Sequence, residues 1–273
     1  MSGDHVATGT GRAEFVVRPD GTVVGDDGGG GALAAALPYT GRLARRMGEI
    51  VGVGDLRGMQ ALGRRRLDVG VTWTPAGEGT YRGTATPVEP RAVPAFMVVG
   101  AVDTATAVEH CLGRLMTVEG VAWASVVTAG SRVIAARGER QELHHLAEVG
   151  TRMLAILRSL EDQHASGFMR LRFEQGAVVG ASLGRHALVA RVSTAGDDDL
   201  VAMIDEIRAV LADHDLTSVT SEFDPDADAT VREDEPEPVA PQVASPPPLV
   251  GARFAGAGER PPRTPRRRIF RSR

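Results

Sequence analysis

The stretch Leu115–Gly138, LMTVEGVAWASVVTAGSRVIAARG, carries the pattern that decides the fold. It begins on the end of a helical stripe, because Val108, Cys111, Leu112, Leu115 and Met116 recur at i, i+3, i+4, i+7 and i+8. Gly120 stops that helix. Val121–Thr128 is then dense in β-branched residues, Ala129–Ser131 turns the chain, and Arg132–Ala136 returns as a hairpin partner. Working downstream, Leu143, Leu146, Gly150, Met153, Leu157 and Leu160 form one face of a second helix. Met169, Leu171 and Phe173 alternate with Arg170, Arg172 and Glu174, which is a strand with one buried and one solvated face. Glu174–Ala177 turns, and Val178–Leu183 and Ala187–Ser193 add two more strands. Asp197–Asp199 open a last helix, where carboxylates suit the positive helix end, with the stripe Leu200, Met203, Ile204, Ile207, Val210 and Leu211. The predicted order is α-β-β-α-β-β-β-α.

Upstream, the same order recurs at a constant offset of 110 residues. Val16 and Val17 fall on Val126 and Val127, Val23 and Val24 on Val133 and Ile134, Leu33 on Leu143, Met47 and Ile50 on Leu157 and Leu160, Met59 on Met169, and Val69 and Gly70 on Val179 and Gly180. Phe15–Arg18 and Thr22–Gly25 flank a Pro19-Asp20-Gly21 turn. Leu33, Ala36, Leu37, Leu43, Met47 and Ile50 make a helix, which either starts near Leu37 with Pro38 in its first turn or is kinked there. Val51–Gly58 reads as a turn. Leu67, Val69, Val71 and Trp73 alternate with polar residues as a strand. The correspondence breaks after Trp73, and Pro94–Gly100 is the expected last strand of the first copy. No helix fits before residue 13, so the helix over about 103–118 is expected to serve both copies.

The Leu115–Gly138 stretch, followed by a long helix, resembles the roadblock/LC7 family: a helix ending in a short step to glycine, a two-stranded hairpin, a helix, three strands and a last helix. The resemblance covers 104–213 well and 13–100 loosely, and profilin-like, longin and PAS-like domains share much of the layout. It implies an α+β fold of two tandem roadblock/profilin-like domains, over 1–102 (incomplete) and 103–217, with a tail over 218–273. It further implies a dimer-forming module without catalytic residues, which pairs through its first helix and an edge strand into a broad sheet with helices on one side. Bacterial members bind Ras-like GTPases, so a small Ras-like GTPase or another roadblock protein is the implied partner.

Composition narrows the alternatives. Of 273 residues, 31 are basic, and every one of them is arginine; no lysine or asparagine occurs. That bias suits a GC-rich bacterial genome, and it weakens any argument from arginine number alone. The net charge of −4 does not suit a polyanion binder, and nucleic acid is not an expected partner. Cys111, the one cysteine, rules out an intrachain disulfide and sits at a packing position. The N-terminus has no apolar signal-peptide core, and no run of about 18 apolar residues occurs, so a cytoplasmic location is expected. Glu222–Glu237 carries eight carboxylates and one arginine, Pro236–Pro248 is proline-rich, and Arg253–Arg273 holds eight arginines and one glutamate. This composition predicts a disordered tail, acidic and then basic. Arg266, Arg267, Arg268, Arg271 and Arg273, interleaved with Ile269 and Phe270, are the residues expected to touch an anionic membrane surface.

Motifs of chemistry are weak. Gly180–Gly184, GASLG, matches the nucleophile elbow G-x-S-x-G, but that motif needs a strand-to-helix turn and here another strand follows. Gly28–Gly31 could cradle a phosphate, yet a P-loop needs G-K-[S/T] and the chain has no lysine. His144 and His145 are neighbours, so on a helix they diverge by about 100° and cannot chelate one metal as an i, i+4 pair does. No catalytic residue, cofactor or metal is expected. On the helix over 139–160, Arg140, His144, Glu148 and Arg152 point away from the apolar stripe and are the candidate partner-binding residues. The function expected is that of a non-catalytic interaction module binding and regulating or scaffolding a small GTPase, with homo-oligomer formation as a further expectation. The alternatives are a PAS/profilin-like ligand sensor, in which the small residues Gly70, Gly180 and Ala181 leave room for a ligand, and a structural adaptor working through its basic tail.

Overall fold

The computed structural model describes residues 12–25, 31–63, 65–88, 103–161, 166–193 and 197–227. Alternating and β-branched stretches become strands and the 3.6-period stripes become helices. In chain order these are β1 (Ala13–Val17), β2 (Val23–Gly25), α1 (Gly31–Val51), β3 (Leu56–Gly63), β4 (Arg65–Trp73), β5 (Gly79–Pro87), α2 (Thr104–Leu115), β6 (Val121–Val127), β7 (Val133–Gly138), α3 (Leu143–Glu161), β8 (Ser166–Phe173), β9 (Gly176–Leu183), β10 (His186–Val192) and α4 (Asp197–Leu211). The strands form one antiparallel sheet in the order β2-β1-β5-β4-β3-β8-β9-β10-β6-β7.

That order is palindromic in topology. The half from β2 to β3 and the half from β7 to β8 repeat the same connections, and they meet where β3 pairs with β8. Gln60 lies opposite Arg170, its own mate at the 110-residue offset, so a pseudo-twofold axis passes between those two residues. One face of the sheet, here the front, carries α1 and α3 over a shared apolar core that includes Phe15, Met47, Met59, Val69, Met153, Leu171 and Val189. Among the described residues, the back face is covered only on the second half, where α2 and α4 seal Ala124, Val179, Ala181, Leu188 and Ala190.

Close packing on the front is set by small residues. A Cβ at Gly150 would come within 2.5 Å of Val127 Cβ, so α3 rests directly on β6 because that helical position is glycine. At Gly180 a Cβ would meet Met153 Cγ at 2.3 Å, so the room expected beside the sheet centre is filled by the Met153 side chain. Ala181 is fully buried under the back-face helices, and only Gly70 faces open space.

Several expectations are corrected. The segment VGVGDLRG is a turn only up to Asp55, since β3 begins at Leu56. Among the described residues, β5 pairs with both β1 and β4 and fills a strand position not expected from the sequence, whereas the expected strand Pro94–Gly100 lies outside the described residues. Val69 matches Val179 by identity but not in space. Val69 sits opposite Met59, whereas Gly180 sits opposite Met169, so the equivalence slips by one residue and moves Val179 to the back face. Helix α1 runs from Gly31 through Pro38, so of the two readings the one that starts it at Leu37 is excluded. Helix α2 packs on β6, β7 and α4, so it belongs to the second half and does not serve both; among the described residues, only Leu62 of the first half leans against that back-face core. The helices lie on both faces of the sheet, and the pair at the junction is α1 and α3, the helices after the hairpins, because the back face of the first half is polar. The chain also remains packed beyond 217. Val219 is buried, and Phe223 bridges to Val133, where Val133 N donates to Phe223 O at 3.0 Å and covers one end of the sheet.

Candidate functional site

The pseudo-twofold brings α1 and α3 side by side, and their polar residues meet across the junction. Thr40 is fully buried, with its hydroxyl 3.5 Å from Ser159 Oγ on α3. Arg152 donates to Glu148 Oε1 from Nη2 at 2.6 Å and from Nε at 3.1 Å. Arg46 of α1 reaches the same carboxylate oxygen at 3.6 Å and also pairs with Glu49 at 2.9 Å. Hydrogen bonding from Arg152, aided by the charges of Arg152 and Arg46, holds the Glu148 carboxyl below its usual range. Tyr39, one turn before Leu43 on α1, is 44% exposed, and Arg42 and Arg46 lie on the same outward surface. An exposed tyrosine among arginines beside a fixed ion network is the residue mixture that anchors protein interfaces.

The four candidate partner-binding residues are thereby separated into two pairs. Glu148 and Arg152 belong to the inter-helix network. Arg140 precedes α3, and His144 lies in its first turn, where both line an open groove of about 1040 Å³ together with Trp123, Arg137, Glu142 and Phe223. Arg137 is held there by Glu109 and Glu222. The neighbouring histidines converge instead of diverging: their ring centroids are 4.1 Å apart, and both approach the carboxylate of Glu142, which precedes the helix. The ligand atoms of Glu142, His144 and His145 all fall within 4.8 Å of one another. Arg46, the first-half member of the junction network, was not legible as a partner of Glu148, because nothing in a linear reading sets α1 against α3.

Ser182 and His186 line a second, smaller hollow of about 530 Å³. Ser182 lies opposite Ala187 on the front face, while His186 lies opposite Leu183 on the back, so the two side chains leave the sheet on opposite sides. Ser182 Oγ donates to Gly184 O at 3.0 Å, and His186 Nδ1 accepts from Ala129 N–H at 3.3 Å. This geometry sets no base beside the hydroxyl. Burial, with the charge of Arg185, pushes the His186 pKa down. Cys111 is buried in α2, and burial pushes its thiol up to about 11, as suits a packing residue. Trp73 Nε1 donates to Leu56 O at 2.7 Å, with Arg45 stacked 5.2 Å over the ring. Trp123 is 2% exposed, and its indole N–H has no acceptor among the described residues. Gly28–Gly30 and the tail arginines Arg266, Arg267, Arg268, Arg271 and Arg273 lie outside the described residues. Among the described residues, no helix is long and apolar enough to cross a membrane.

No family model matches the chain, and no curated protein matches it. Among solved structures it is similar to a chain described as MglB with tetrameric arrangement, at 19% identity and a TM-score of 0.34, over 44% of this chain and 95% of that one. A likeness of that size bears on neither mechanism nor partner.

Proposed function

We propose that the chain is a non-catalytic protein-interaction module, in which two roadblock-like domains over 1–102 and 103–217 present the α1–α3 layer to a small Ras-like GTPase and regulate or scaffold it. The observation that supports this reading is the junction itself. The repeat places two equivalent helices side by side, fixes their polar groups through Arg46, Glu148 and Arg152, and leaves Tyr39 and Arg42 exposed on the same surface. A surface with rigid ion pairs and a protruding aromatic is pre-organised, so docking costs little side-chain ordering. Any stimulation of hydrolysis would act by repositioning the partner's own residues. The arginines near the C-terminus, from Arg266 to Arg273, would hold the module near an anionic membrane.

The test is co-elution of the full chain with Ras-like GTPases from the same genome, loaded with GDP or with a non-hydrolysable GTP analogue. The reading expects complex formation with one nucleotide state, lost in the double variant Tyr39→Ala/Arg42→Glu. Absence of nucleotide-dependent binding to every such GTPase would reject it.

A further inference from the structure

Glu142, His144 and His145 place one carboxylate and two imidazoles at the mouth of the groove beside α3, and the ion network of the helical layer uses none of them. His144 Nε2 lies 3.3 Å from Glu142 Oε2, and His145 Nδ1 lies 3.7 Å from the same oxygen. Glu142 sits just before the helix begins and both rings turn toward its carboxylate, which overcomes the divergence of adjacent helical positions. The three side chains are 40–68% exposed, so an ion can enter without any opening of the fold.

From this juxtaposition we propose a binding site for a divalent transition-metal ion, with zinc the best fit. Zinc takes imidazole nitrogen and carboxylate oxygen at about 2.0–2.2 Å, which sets tetrahedral ligand atoms roughly 3.3 Å apart. The observed separations match that spacing after small side-chain rotations. Two imidazoles favour zinc, nickel or copper over magnesium and calcium, which prefer oxygen. Three protein ligands leave a coordination position for water or for an oxygen donor. Trp123 and Phe223 belong to the apolar part of the same groove's lining. The groove's charges are mixed, with Glu139, Glu142 and Glu222 against Arg137 and Arg140, so coordination and not bulk charge must supply the selectivity.

The experiment is a calorimetric titration of zinc chloride into the metal-free full chain, repeated in millimolar magnesium. One zinc per chain is expected, undisturbed by magnesium. Affinity should fall on the order of 100-fold in His144→Ala/His145→Ala, and about tenfold in Glu142→Gln, which keeps shape but loses charge. All three side chains are exposed, so unchanged urea midpoints will show that the variants fold. No stoichiometric binding by the native chain would overturn the site, as would native-like affinity in the double histidine variant or displacement of zinc by magnesium.

Discussion

The two halves of the sheet share a topology and differ on one face. Along the back of the first half, β4 and β5 present Arg66, Asp68, Thr72, Arg82, Thr84 and Thr86, and β1 presents Glu14. The spatially equivalent positions of the second half are Ala177, Val179, Leu183, Leu188, Ala190, Val192 and Ala124. The second set is buried under α2 and α4, while among the described residues no helix packs on the first set. The front faces, by contrast, are apolar in both halves and share one core. Topology therefore follows the apolar pattern common to both copies, and the number of helical layers follows the pattern they do not share. This is also why the junction helices are α1 and α3: among the described residues, they are the helices both halves possess.

The comparison breaks most decisively at Val179 and Asp68, which are equivalent positions. Val179→Asp puts an unpaired carboxylate under α4 and should cost about 4 kcal/mol of stability. Asp68→Val loses an exposed pair with Arg66 and leaves the buried Gln60 amide without that acceptor, so it should cost about 1–2 kcal/mol, clearly less than Val179→Asp. Urea denaturation measures both, and a loss in Asp68→Val as large as that in Val179→Asp would erase the distinction between the two back faces. A smaller contrast tests the front. Met153 is fully buried over Gly180, while its repeat mate Leu43 is only partly buried. Met153→Ala should cost roughly 3 kcal/mol and Leu43→Ala clearly less.

The hairpin turns sharpen the comparison further. Gly21 has φ +82° in open space, and its mate Ser131 holds a left-handed φ of 61° and hydrogen bonds to Thr151 at 2.8 Å. Gly21→Ser meets only the backbone penalty and should destabilise by about 1 kcal/mol. The smallest effect belongs to pH and to the second half alone. His186 has a pKa lowered by burial and by Arg185, Arg132 and Arg158, against which Asp215 raises it. A histidine depressed on folding contributes its stability above the unfolded value, near 6.5, and that contribution is lost as pH falls below it, because the unfolded chain then binds the proton more readily. Between pH 7.5 and 5.5 the native chain should lose more stability than His186→Gln; an equal loss would mean that His186 is not the group responsible.

Much of this architecture was legible in the sequence, for reasons that can be named. The second copy was readable nearly element by element because Met169, Leu171 and Phe173 alternate cleanly and the helical stripes are long. The first copy hid β3 because Gly52 and Gly54 precede it and Gly58 lies within it, which together suggest a turn, and it hid β5 because GTYRGTATP carries few apolar residues. The one-residue slip at Val69 was invisible because identity matching rewards valine on valine regardless of face. Of the candidate site, Glu148 and Arg152 were legible as outward helical positions, whereas Arg46 and the Glu142–His145 cluster depend on packing and side-chain direction that spacing alone does not carry.

The central claim is that the repeat closes on itself at the β3–β8 junction, with residue 60 against residue 170. Paired cysteines at those positions, in a Cys111→Ala background, measure this directly, since opposed residues of adjacent strands lie about 4.5–5.5 Å apart at Cα, within disulfide range. The account predicts that Gln60→Cys/Arg170→Cys forms an intrachain disulfide in the isolated monomer under mild oxidation, and that Gln60→Cys/Leu171→Cys, whose side chains leave opposite faces, does not. Crosslinking only between chains, or equally in both pairs, would contradict it.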